Sequence, residues 1–231
     1  MINDIPSQSI EVPKVGKWPG TFETYKLVKP YIQPAMWNFV SAFGIGIILS
    51  LISEIIFGVI FKNSILTTIV DNIATIFIGS YIQAVLIYMY FEYLNKKELS
   101  LSEALIAGYQ KLIKMTGVIL VMDIVLVASF ILLIIPFFFI LPRVYLAPYF
   151  LIYGDCKVNE ALAASWHSTK NNIKKVYGII GLDLLIALLF ITIIGIPFAI
   201  YFGLINSGSF ALLTIYLSQQ KKVKSSKAIN V

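Results

Sequence analysis

The chain is predicted to be an all-α, polytopic membrane protein of about six transmembrane helices, and three observations predict it. Hydrophobic residues make up 58% of the 231 positions and charged ones 13%, against about half and about a quarter in soluble domains. The apolar residues gather in runs long enough to cross a bilayer, and mean hydropathy is +0.86. The lysines, finally, fall almost entirely in alternate gaps between those runs.

Six apolar segments are read by length, at roughly 37–61, 72–94, 116–135, 137–153, 175–195 and 197–218. The third and fourth are separated only by Ile135-Pro136, the fifth and sixth only by Gly195-Ile196-Pro197. Each pair therefore reads as a helical hairpin turned at a proline. The fourth segment is short and carries Pro142 and Pro148. Each proline removes a backbone hydrogen bond, so this span is expected to be bent or partly unwound. Residues 1–35 form a polar, Pro-rich segment, expected to be partly disordered and cytoplasmic. They show no apolar stretch behind a basic start, so no cleaved signal peptide is expected. Residues 36–219 hold the six spans, and 220–231 form a basic tail.

Orientation follows from charge. Lys14, Lys17, Lys26 and Lys29 precede the first span, and Lys96, Lys97, Lys111 and Lys114 lie between the second and third. Lys157, Lys170, Lys174 and Lys175 lie between the fourth and fifth, and Lys221, Lys222, Lys224 and Lys227 follow the sixth. Lys62 alone falls on the other side. The positive-inside rule then puts both termini in the cytoplasm and the protein in the cell membrane. The same rule accounts for the formal charge of +6 better than nucleic acid does, and nucleic acid is not an expected partner.

The long loops read as interfacial amphipathic helices. Ser100 and Glu103 have capping-box spacing, and Leu101, Leu105, Gly108 and Leu112 follow on one face. Val158, Leu162, Trp166, Thr169 and Ile173 repeat the pattern. An internal repeat links these pieces. Glu103-Ala-Leu105 leads through Tyr109 and Lys111 to Asp123 and then Ile135-Pro136-Phe137. Glu160-Ala-Leu162 leads through Trp166 and Lys170 to Asp183 and then Ile196-Pro197-Phe198. A weaker third copy starts at Glu23, Tyr25 and Lys26. The unit is an interfacial helix followed by a hairpin.

Charges within the spans define the candidate site. Counting about 1.5 Å per residue from the cytoplasmic ends puts Asp123 and Asp183 roughly 10–12 Å deep and Arg143, the one arginine, roughly 15 Å deep. Each would cost roughly 2.5–3.5 kcal/mol alone, so a mid-membrane cluster of Asp123, Arg143 and Asp183 is expected. It reads either as a structural clamp or as a proton- or cation-coupled site. Tyr145, Tyr149 and Tyr153 run at helical spacing down the same short span, where packing is the ordinary role of tyrosine. Trp166, His167, Lys221, Lys222 and Lys224 are the candidate lipid-headgroup contacts. With one cysteine (Cys156), one histidine and no P-loop, nucleophile elbow or Cys/His cluster, the chain is expected to use no metal and no cofactor and not to be an enzyme.

Arg143-Val-Tyr-Leu-Ala-Pro148, followed by Glu160-Ala-Leu162, Ser165, Trp166 and Thr169, resembles a known membrane family. It is similar to the membrane domain fused to some glycerophosphodiester phosphodiesterases, and to related six-span prokaryotic inner-membrane proteins of unknown function. The likeness covers roughly residues 98–200, and Tyr145 stands one place later than the family's usual aromatic. The resemblance implies a fold and no activity, because the hydrolase of the fused proteins is a separate soluble domain. The expected function is that of a non-catalytic, lipid-contacting scaffold or accessory subunit, with membrane lipids and a second membrane protein as partners. The alternative is a small transporter or channel built on the Asp/Arg site.

Overall fold

A computed structural model describes residues 18–61, 65–132, 134–191 and 195–229, all of them helical or in short connections. Helix α1 spans Thr21–Ile32, α2 Met36–Phe61, α3 Ile65–Leu94 and α4 Leu101–Leu132. Helices α5 (Ile134–Val144) and α6 (Ala147–Gly154) are followed by α7 (Val158–Thr169) and α8 (Ile173–Ala187). A 3-10 turn at Leu188–Ile191 then leads to α9 (Gly195–Ile229). Five helical stretches are long and apolar enough to cross a membrane: Met36–Ile60, Thr67–Leu94, Leu101–Ile131, Pro136–Gly154 and Gly195–Gln220. The fifth predicted span is the shorter α8. Its α-helical residues and the 3-10 turn together extend about 30 Å, which matches the hydrocarbon thickness.

The chain differs from the expected boundaries in two places. The third span and the amphipathic helix before it are one continuous helix of 32 residues, α4. No proline or polar turn interrupts it around Met115, whereas Pro34 breaks α1 from α2 and Asn171-Asn172 breaks α7 from α8. The fourth span is broken as expected, at Tyr145-Leu146. Pro148 cannot donate to the carbonyl four residues back, so the break falls just ahead of it and α6 starts anew. Part of the predicted polar N-terminal segment is ordered. Residues 21–32 form α1, which buries Thr24, Val28 and Ile32. Lys14, Lys17 and Lys62 lie outside the described residues.

The repeat extends to all three units. The carboxylates of Glu23, Glu103 and Glu160 accept hydrogen bonds from the backbone N–H groups of Gly20, Ser100 and Lys157, at 3.1, 2.9 and 3.0 Å. Each carboxylate thus satisfies one donor that a helix start leaves orphaned, and places negative charge at the positive end of the helix dipole. The residue after each glutamate is fully buried: Thr24, Ala104 and Ala161. Five positions after it, Val28, Gly108 and Ser165 are buried as well. Nine positions after it stand Ile32 and Thr169, both buried, and the half-buried Leu112. One face of each capped helix therefore packs inward at the same register.

Helices α3 and α9 form the centre of the bundle and α2 its rim. The α9 span is 61% buried and the α2 span 11%. Side chains such as Ile48, Leu51, Ile55 and Val59 remain exposed on α2, as a lipid-facing surface requires. Two close approaches set the packing. A Cβ on Gly208 of α9 would stand 2.6 Å from Val28 Cγ1 and 3.4 Å from the ring of Tyr90. A Cβ on Gly108 of α4 would collide with the Val85 side chain and sit 3.1 Å from the Val85 backbone nitrogen. Backbone cannot yield as a side-chain tip can. Small residues at such contacts let helices approach where lipid offers no hydrophobic drive.

Gly108→Ala is expected to lower the thermal unfolding midpoint in detergent by an amount corresponding to about 1–3 kcal/mol, the usual cost of overpacking. Gly58→Ala, where nothing lies within 4 Å of an added Cβ, is expected to leave the midpoint unchanged or raise it. Equal effects at both positions would contradict the α3–α4 packing described here.

Candidate functional site

Arg143 lies in the last turn of α5, where helix carbonyls lack donors and a cation is favoured by the dipole. The α7 helix closes over this end. Ser165 Oγ donates to the Arg143 carbonyl at 2.6 Å, and Thr169 Oγ1 donates to the Ser165 carbonyl at 2.7 Å. The guanidinium carbon sits 4.7 Å from the centre of the Trp166 ring, within cation–π range. Pro148 is buried at the start of α6, and Glu160 caps α7. Arg143, Ser165, Trp166 and Thr169 thus meet in one clasp between the broken span and α7.

The expected charge cluster does not assemble. Among the described residues, no ion pair joins Arg143 to Asp123 or Asp183; the carboxylates of Glu92 and Asp155 instead pair with Lys97, and with Lys111 and Lys114. Asp123 is exposed on α4. Asp183 Oδ1 accepts from Asn206 Nδ2 of α9 at 2.6 Å. Residue counting gives depth along a span but not the direction a side chain faces, and here the three groups face apart. His167 is exposed and Trp166 is 38% exposed, so the tryptophan serves the arginine while its edge reaches the surface. Lys221, Lys222 and Lys224 fall on the last turns of α9, and their side chains are outside the described residues.

Asp183 instead lines a cavity of about 450 Å³ with Gln83, Tyr90, Tyr145, Tyr149 and Ser207. The break at Tyr145-Leu146 and the short α6 bring two of the predicted stripe's tyrosines to this wall, where both pack on Phe210. Tyr153 turns to Phe91 instead. Asn206 is fully buried, and its amide nitrogen also donates to the Ile179 carbonyl at 3.1 Å. Both its nitrogen's partners are acceptors, which fixes the amide orientation and leaves Asn206 Oδ1 without a donor. The buried Tyr90 hydroxyl likewise has no partner of ordinary geometry, although Ser207 stands beside it.

A second charged site is less legible in sequence. Asp155, with φ 42° and ψ 41°, caps α6 in the left-handed region, which Asp and Asn tolerate better than most residues. That turn aims its carboxylate at Lys111 and at Lys114, the latter at 3.2 Å. The hydrogen bond from Lys111, then that from Lys114, holds the Asp155 carboxyl below its ordinary range. The sequence hint was an aspartate directly after Tyr153-Gly154 at a helix end, but nothing in the spacing named its partners.

Comparison with family models, with curated proteins and with solved structures finds no match. The fold therefore defines the class on its own terms: an all-α, multi-pass membrane protein.

Three outcomes follow from this geometry. Trp166→Ala should destabilise the fold by about 0.5–2 kcal/mol and Trp166→Phe by less, as expected for a cation held over a ring; thermal unfolding in detergent compares them. The exchange Arg143→Asp with Asp183→Arg should recover none of the stability lost by either single variant, because the two groups are not paired. For Asp155 the folded-state value is depressed, so its stabilisation is present above the ordinary carboxylate range and is lost as pH falls through the lower folded value. The gap in midpoint between wild type and Asp155→Asn should thus be present at pH 7 and shrink in strong acid. Asn keeps the left-handed turn, so the gap reports the charge, and a gap that persists in strong acid would contradict the role given to the Lys111 and Lys114 pairing.

Proposed function

We propose that the chain is a non-catalytic module of the cytoplasmic membrane that works by contacting lipid, with both termini on the cytoplasmic side. The carrying observation is the threefold use of a glutamate-capped amphipathic helix. Each buries one face in the bundle and leaves apolar and basic groups exposed on the other. Phe22, Lys26 and Leu27 are exposed on α1, Ile106, Tyr109 and Lys114 on α4, and Trp166 and Lys170 on α7. Aromatic, aliphatic and lysine side chains together suit the headgroup boundary of an anionic leaflet. The distribution of lysines along the sequence supports the orientation.

The chemistry available supports a role without catalysis. Burial, followed by the nearby Glu160, pushes the Cys156 thiol up, which suppresses the thiolate a nucleophile needs. His167, the one histidine, is exposed on α7. The resemblance to the membrane domain of glycerophosphodiester phosphodiesterases supports the same reading, since four of the matching residues, Arg143, Ser165, Trp166 and Thr169, form a clasp with a structural role. A partner membrane protein is part of this proposal, and the exposed α2 surface is available to it.

Gentle extraction followed by native mass spectrometry is expected to show anionic phospholipid retained on the protein. Replacing Lys26 and Lys170 together by Gln should reduce that retention without unfolding the chain. Purification of a folded protein stripped of lipid and partner alike would overturn the proposal.

A further inference from the structure

We propose that the Asp183 cavity is the head site of a binding groove for a cationic amphiphile, an alkylammonium whose chain lies between α2 and α3. This goes beyond general lipid contact by naming a ligand class, and it rests on the membrane reading only for the route by which the chain arrives. Two cavities of about 450 Å³ each adjoin, and Phe43, Gln83 and Leu86 line both. The first holds Asp183 and the tyrosines. The second runs along Gly46, Ile47, Leu51, Ile78, Gly79 and Ile82 and is almost wholly apolar. Ile47 and Leu51 are exposed, so this arm reaches the surface between the two helices. A polar end joined to an apolar arm is the shape of a single-chain amphiphile, within the usual size of ligand sites.

The sign of the head is set by what lines it. Asp183 is in no ion pair among the described residues, and neither cavity is lined by lysine or arginine. One buried acceptor next to it lacks a donor, Asn206 Oδ1. Tyr90, Tyr145 and Tyr149 add aromatic side chains to the same wall. A carboxylate among tyrosine rings is a recognition surface for an ammonium, through charge and through the ring quadrupoles. A phosphate head would meet the Asp183 carboxylate with no cation to offset it. A bare metal ion would find one carboxylate where several oxygen ligands are needed.

The arm has a built-in control. Nothing lies within 4 Å of a Cβ added to Gly79, so Gly79→Leu fills the arm without straining the backbone. The test uses the full chain in a neutral maltoside detergent and calorimetric titration with decyl-, dodecyl- and tetradecyltrimethylammonium. Tetramethylammonium and the uncharged N-dodecylacetamide serve as head-only and chain-only probes. Saturable binding of the dodecyl cation is expected, at least about tenfold tighter than either partial probe. Asp183→Asn should weaken it at least about tenfold. Gly79→Leu should weaken the tetradecyl compound more than the decyl. A folded Asp183→Asn protein that binds like wild type overturns the proposal, as does equal binding of the cation and the amide. Should Asp183→Asn fail to fold, Tyr145→Leu and Gly79→Leu carry the same decision, and wild-type affinity in both overturns it. A protein that keeps phospholipid in mass spectrometry yet ignores every alkylammonium loses this inference alone.

Discussion

A backbone that crosses lipid must satisfy its own polar groups, and every interruption of a helix there has to be repaired by a neighbour. In this protein the decisive interruption is the one at Tyr145-Leu146. Pro148 favours it, because a proline cannot donate to the preceding turn, although Pro30 and Pro142 are carried inside α1 and α5. The repair comes from α7, whose Ser165 hydroxyl donates to the Arg143 carbonyl while Trp166 covers the guanidinium. Much of the rest depends on that repair. The break turns α6 so that Tyr145 and Tyr149 reach the Asp183 cavity, and it leaves Asp155 positioned to meet Lys111 and Lys114.

The three capped helices show how one local solution is reused. A glutamate at the third helical position satisfies the N–H that opens each helix, and the positions one, five and nine residues on face the bundle. The copies differ where local sequence differs. Pro34 and Asn171-Asn172 end α1 and α7, but nothing ends the second copy, which runs on as α4. Glycines then set how closely the copies pack: Gly108 against Val85 and Gly208 against Val28, Ile32 and Tyr90.

The site was legible in part. Asp183 and the Tyr145–Tyr149 pair stood out as polar groups on apolar spans, and the structure brings them to one cavity. Arg143 stood out too, but its partner is the π face of Trp166 and not a carboxylate. Depth can be counted from a helix end at a fixed rise, whereas the facing of a side chain depends on where a helix breaks and what packs across it. Asn206 gave no signal at all. It is one polar residue in the long α9, and only the α8–α9 hairpin sets it beside Asp183.

The sequence by itself determined the class, the break in the fourth span and the capped start at Ser100–Glu103. All of these are local consequences of apolar length, proline chemistry and orphaned backbone donors. The tertiary structure alone decided which charges meet. It left Asp123 exposed, gave Asp183 to Asn206 and stacked Arg143 on Trp166. The reason is geometric: pairing energies fall off over a few ångströms, and only the packed bundle fixes distances at that scale.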